Sequence, residues 1–112
     1  MIRDNYNIVY KAVSKDGYML EYASDNLKNN KSLVLKAISN AGHAVRFASD
    51  ELRNDIDIAM AAVQYDGATL FYLSEKMRNE PLVVITACKN YKFALDYALG
   101  EIKKSIIRNP YY

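Results

Sequence analysis

Residues 12–29, AVSKDGYMLEYASDNLKN, return at residues 37–54 as AISNAGHAVRFASDELRN and at residues 62–79 as AVQYDGATLFYLSEKMRN. The step is 25 residues each time, and further columns keep it on either side. Ala12, Ala37, Ala62 and Ala87 form one, each followed by an apolar residue (Val13, Ile38, Val63, Cys88). Leu20, Val45, Leu70 and Leu95 form another; Tyr22, Phe47, Tyr72 and Tyr97 make an aromatic column, and Leu27, Leu52, Met77 and Ile102 the next. Several independent columns in one register mark an internal repeat, and a period of this length reads as a stacked array.

Within a unit, Ile8, Val9, Ala12 and Val13 share one face of a helix of about ten residues. Gly17, Gly42 and Gly67 follow it, where a helix C-terminus needs a residue tolerant of left-handed backbone. A second helix then carries Leu20, Ala23 and Leu27 at i, i+3 and i+7. Asn30 and Asp55 stand as N-caps of the next unit, and Glu80 before Pro81 gives an acidic cap with proline in the first turn. Asp16-Gly17 and Asp66-Gly67 also suit β-hairpin turns, but their flanks have helical spacing and lack alternation. The sequence therefore predicts an all-α protein, an α-solenoid of four stacked 25-residue helix-turn-helix repeats. Stacking is obligatory. One unit buries too few apolar side chains, at roughly 2 kcal/mol each, to offset the entropy of ordering its backbone.

The ends depart from the pattern. Ile2, Arg3 and Asp4 align with Leu27, Lys28 and Asn29, so residues 1–4 read as the remnant of a preceding unit, from a longer array or a truncated start. Repeats occupy 5–29, 30–54, 55–79 and 80–104, with a C-terminal cap and tail at 105–112. In the fourth copy Lys92, Leu99 and Gly100 replace the glycine, the serine and the acid. Phe93, Leu95, Ala98, Leu99, Ile102 and Ile106 run on as one stripe, which predicts a longer C-terminal capping helix ended by Pro110.

Laid out this way, the pattern A-V-x3-G-x2-L-x-[YF]-A-S-x2-L-[KR] resembles the short repeats grouped as Domain of Unknown Function 4116. The resemblance covers nearly the whole chain and is best in the first three units. It implies a tandem helical module, an interaction region of a larger protein, and supplies no catalytic residue.

Composition agrees with a globular protein: 51% hydrophobic, 25% charged, net charge +2. No apolar run approaches the roughly 20 residues that span a bilayer, so the sequence points to a soluble, cytoplasmic protein, or one delivered into a host cell by an intracellular microbe. Cys88 is the single cysteine and His43 the single histidine. That excludes an internal disulfide and a Cys/His zinc site, and no cofactor or metal is implied.

A basic column, Arg3, Lys28, Arg53, Arg78 and Lys103, would form a ladder in a stacked array and could grip nucleic acid or an acidic ligand. Helix-end placement, with Asp25, Asp50 and Glu75 three residues earlier, favours a structural role instead. Charge by unit runs 0, +2, −2 and +1, which is no continuous basic stripe. The aromatic column could line a groove for a peptide or a base, but reads instead as inter-repeat packing with the phenol tips reaching water. Ser24, Ser49 and Ser74 recur without a base, so no serine nucleophile is implied. His43 reads as an exposed polar residue, and Cys88 as a small buried hydrophobe. What remains is the set of columns where the copies differ: Lys15, Asn40, Tyr65, Asn90; Tyr18, His43, Ala68, Phe93; Glu21, Arg46, Phe71, Asp96. From these, Tyr18, His43, Arg46, Tyr65, Phe71 and Phe93 are the candidate partner contacts. The expected role is a non-catalytic protein-interaction or scaffold module; nucleic-acid or acidic-ligand binding through the ladder is the alternative, and an inert spacer a third. The implied partner is a protein.

Overall fold

The computed structural model describes residues 2–109. Each unit opens with a ten-residue α-helix, at Tyr6–Lys15, Lys31–Asn40, Ile56–Tyr65 and Pro81–Asn90. A six-residue 3-10 helix follows, at Gly17–Tyr22, Gly42–Phe47, Gly67–Tyr72 and Lys92–Tyr97. The first three units close on a short turn, at Asp25–Lys28, Asp50–Arg53 and Met77–Asn79, and the fourth on a longer helix, Gly100–Arg108. Ile2–Asp4 is the closing turn ahead of unit 1. No strand occurs among the described residues, and none of their helices is long and apolar enough to cross a membrane.

Long helices pack on long helices of the next unit and 3-10 helices on 3-10 helices, giving a rod with extents of 51 × 22 × 17 Å. The core runs along it: Val13, Ile38 and Val63 from the long helices, Leu20, Val45 and Leu70 from the 3-10 helices, all essentially inaccessible. Asn5, Asn30 and Asp55 cap the long helices, their side-chain oxygens accepting the N–H of Ile8, Leu33 and Ile58 at 3.0–3.1 Å. Glu80 makes no such bond; Pro81 takes the first helical position, where its missing N–H costs nothing.

The predicted second helix is not continuous. With three residues per turn, a 3-10 helix sets Gly17, Leu20 and Ala23 on one buried row, which an α-helix would skew across roughly a third of its circumference. The chain is extended at Ala23 and Ser24, and Ser24 then caps the closing turn by accepting the Leu27 N–H at 3.2 Å. Ser49 to Leu52 and Ser74 to Met77 repeat the bond. The fourth unit breaks likewise at Ala98 and Leu99, so the stripe from Phe93 to Ile106 is no single helix, and Phe93 faces solvent. Pro110 lies outside the described residues.

The glycine column also works differently from the left-handed cap expected of it. Among the described residues only Gly100 has a positive φ, +67°. A Cβ on Gly17 would stand closer than 3.0 Å to the Ala37 carbonyl oxygen, and one on Gly67 equally close to that of Ala87. Gly42 meets the Tyr65 side chain instead. Gly42 leaves room for the ring of Tyr65 on the next long helix, and Gly17 and Gly67 for the backbone of theirs. Asn40, read as a variable surface residue, locks this contact: Oδ1 accepts the Gly17 N–H at 2.7 Å and Nδ2 donates to the Ser14 carbonyl at 3.3 Å. Asn90 does the same to Gly67 and Gln64 at 3.4 and 3.0 Å. In unit 4 the glycine column holds Lys92, which is exposed.

Gly67→Ala is therefore expected to cost about 3 kcal/mol, the upper range for forced overpacking. Gly42→Ala should cost less, since half-exposed Tyr65 can move. Gly67→Asn should be at least as damaging as Gly67→Ala. Urea unfolding distinguishes this from a left-handed cap, at which asparagine would be the better tolerated of the two.

Candidate interaction surface

The closing turns carry most residues that looked chemical in the sequence. Ser24, Ser49, Ser74 and Leu99 donate their backbone N–H to the carbonyls of Arg3, Lys28, Arg53 and Arg78 at 2.8–3.1 Å, one unit back. The serine hydroxyls donate at 2.6 Å to Oδ1 of Asp4, Asn29 and Asn54. In unit 4, where leucine replaces serine, Asn79 Oδ1 accepts the Ile102 N–H directly at 3.4 Å. Each serine thus holds a cap and a junction together.

The basic column is tied into the same junctions. Arg3 Nε donates to the Tyr22 carbonyl at 2.9 Å and Arg78 Nε to that of Tyr97 at 2.7 Å. Arg53 reaches the Tyr72 carbonyl with Nη1 at 3.4 Å and is paired with Asp50. A guanidinium spent on a carbonyl of the next unit is poorly placed to take a phosphate. Lys28 and Lys103 hold the remaining rungs.

A second row lies beside it, on the 3-10 helices. Arg46 sits over the ring of its neighbour Phe47 at 4.9 Å and reaches Tyr72 of the next unit at 5.9 Å. One unit on, Phe71 takes the same place between Tyr72 and Tyr97, edge-to-face at 5.5 and 5.3 Å, with the Arg78 guanidinium 6.0 Å from its ring. The result is a continuous strip, Phe47, Arg46, Tyr72, Phe71, Tyr97, across three units. Phe71 is 55% exposed, far more than its contacts require.

The family described as Domain of unknown function (DUF4116) matches residues 5–53, 30–78 and 55–103. The chain belongs to this family. Each match begins at a long-helix cap, Asn5, Asn30 or Asp55, and spans two adjacent units, so the DUF4116 signature is a junction as much as a repeat. No curated protein and no solved structure matches the chain.

Of the six candidate contacts in this DUF4116 array, Arg46 and Phe71 join the strip and His43 flanks it, its ring edge-on to Tyr72 at 5.9 Å. The other three stand apart. Tyr18 is exposed on unit 1; Tyr65 lies on Gly42 with its hydroxyl 3.4 Å from the Asn40 carbonyl; Phe93 pairs with Tyr91 and Lys92 at the far end. Phe47, Tyr72 and Tyr97, read from sequence as inter-repeat packing in preference to a groove lining, are half-buried and supply the floor of the strip. Adjacent sequence positions flanking one face are the signal for it, and that signal is legible only if the segment is read as 3-10. His43 is half-buried and paired, Nε2 lying 2.8 Å from Asp66 Oδ2. Cys88 is only partly buried, and burial pushes its thiol up, away from thiolate. The described residues hold no cluster of three or more histidine, cysteine, aspartate or glutamate side chains able to bind a metal.

The His43 hydrogen bond, followed by the Ala68 N–H, holds the Asp66 carboxyl below the usual aspartate range. A depressed carboxyl stabilises the fold above its unfolded pKa and loses that contribution as pH falls through the folded value. Asp66→Asn keeps the acceptor for Ala68 but removes the charge. It should flatten the acid side of the Tm against pH curve, by less than about 1 kcal/mol because the pair is partly open to solvent, while His43→Gln should give a similar flattening.

Proposed function

We propose that this DUF4116 array is a non-catalytic interaction module that binds a protein segment along the strip formed by Phe47, Arg46, Tyr72, Phe71 and Tyr97. The observation that carries the reading is the placement of Phe71. An aromatic ring more than half exposed, held at a fixed angle by two neighbouring rings, brings contact area with little rotamer entropy left to lose. Arginine and aromatic residues are the types that concentrate binding energy at protein interfaces. The backing is rigid: Tyr72 and Tyr97 are fixed by Arg53 and Arg78 at their carbonyls. Guanidinium planes beside open ring faces suit a segment that brings an aromatic or an acidic side chain.

The serines and most of the basic column support the same reading, because they are committed to holding the units together. A nucleic-acid role through the ladder would need Arg3, Arg53 and Arg78 to give up bonds that join adjacent units.

Capture from extracts of the native cell tests the proposal. Phe71→Ala and Arg46→Ala should each reduce recovery of the bound protein about tenfold or more, the effect of losing roughly 1.4 kcal/mol at a hot spot. Lys89→Ala, distant in sequence and on a long helix, should leave it unchanged, as should treatment of the extract with nuclease. Equal recovery with the double variant Arg46→Ala, Phe71→Ala would sink the reading.

A further inference from the structure

The strip repeats with the array. Phe71 meets the Tyr72 and Tyr97 rings at 5.5 and 5.3 Å, and Arg46 those of Phe47 and Tyr72 at 4.9 and 5.9 Å, so successive floor rings lie within about 11 Å, as helices stacked roughly 8 to 10 Å apart require. An occupant that meets successive units alike must repeat at that spacing. A β-strand returns the same face every second residue, about 6.7 Å, and does not match. A polyproline II helix returns it every third residue, about 9.3 Å, and an α-helix every seventh, about 10.5 Å.

Hydrogen bonding separates these two. The Tyr72 and Tyr97 hydroxyls are open to solvent and, like the Arg46 guanidinium, have no hydrogen-bond partner among the described residues. The strip thus carries uncommitted donors in three successive units: a guanidinium over Phe47, a phenol at Tyr72 and a phenol at Tyr97. An α-helix has its carbonyls committed along its length, whereas a polyproline II segment has no internal hydrogen bonds and leaves every carbonyl free to accept. The rings suit such a segment too. Phe71 stands at 78° to Tyr72 and 65° to Tyr97, which leaves angled notches for flat pyrrolidine rings, and aromatic-lined surfaces are a recurring seat for proline-rich segments.

We propose that the strip binds a proline-rich protein segment in the polyproline II conformation, with an acidic residue over Arg46 and a basic residue near Asp96. The proposal rests on the reading of the strip as a protein-binding surface. Charge sets the polarity. Arg46 is exposed without a carboxylate partner, and Asp96, two units on in the same column, is exposed and in no ion pair. Six polyproline II residues span about 19 Å, close to two unit steps, so the acidic and basic residues stand six positions apart. The opposite polarity would set like charges together at both ends of the strip.

The test is a titration of the isotope-labelled full chain with a blocked synthetic peptide in which five prolines separate a glutamate from a lysine. At about 1 mM, the weak end of specific recognition, it should shift the resonances of Arg46, Phe47, Phe71, Tyr72 and Tyr97. Tyr72→Phe and Tyr97→Phe, which remove only the hydroxyls, should together weaken binding about tenfold. Arg46→Gln should weaken it several-fold, and should have no further effect on a peptide whose glutamate is replaced by glutamine. An alanine-rich helical peptide with the same charges about fourteen residues apart, two helical repeats, should bind less well. Tighter binding of the helical peptide would overturn the proposal and leave the strip as a protein-binding surface. Unchanged affinity in the tyrosine double variant, or shifts confined to other residues, would overturn it too. So would silence from both peptides; capture from the native extract that still depends on Phe71 would then uphold the strip without this occupant, whereas loss of that dependence would remove the strip itself.

Discussion

Each long helix can rest on the unit before it only because the residue that opens the earlier 3-10 helix has no side chain. At Gly17 and Gly67 the place a Cβ would take is filled by the next helix's backbone carbonyl. That approach brings Asn40 and Asn90 within reach of both the glycine N–H and a carbonyl of the preceding helix, so one side chain fixes the spacing and the angle together. The closing turns add a second clamp on the other side of the unit, where the Ser24, Ser49 and Ser74 hydroxyls and backbone N–H groups reach back one unit. Between the two clamps the small residues Ala37, Ala62 and Ala87 are fully buried, as close packing of helices requires.

The repeat, its helical character, the register of its columns and the asparagine and aspartate caps were all legible in the sequence, because each depends on local chemistry that the 25-residue step displays four times. The 3-10 segment was not. Leu20, Ala23 and Leu27 fit an α-helical face as well as they fit a 3-10 row followed by a break, and the choice is made by Ser24, which gains a cap only if the chain extends before it. The glycines misled for a related reason. A glycine after a helix usually marks left-handed backbone, whereas here the cause is a neighbour 20 residues further along, which no local rule contains. Asn40 and Asn90 looked variable because Tyr65 and Lys15 share their column; Tyr65 solves the same contact differently, by laying its ring on Gly42.

The aromatic column illustrates how one residue serves packing and surface at once. Tyr72 is held through its carbonyl by Arg53, while its ring is contacted by His43, Arg46 and Phe71. The backbone is committed to the array and the ring remains available. Sequence reasoning that sorts residues into core or contact loses this division, since it assigns each position a single role.

The position occupied by Glu21, Arg46, Phe71 and Asp96 follows from the same geometry. On a 3-10 helix it sits next to the aromatic column, and where it holds Arg46 or Phe71 the side chain touches rings of its own unit and the next. None of the hydrogen bonds that clamp the units passes through its side chain. Its identity can therefore change without loosening the rod, and a charge, a guanidinium or a bare ring there alters only what the surface offers. A rod fastened by glycine, asparagine and serine leaves that position free to vary.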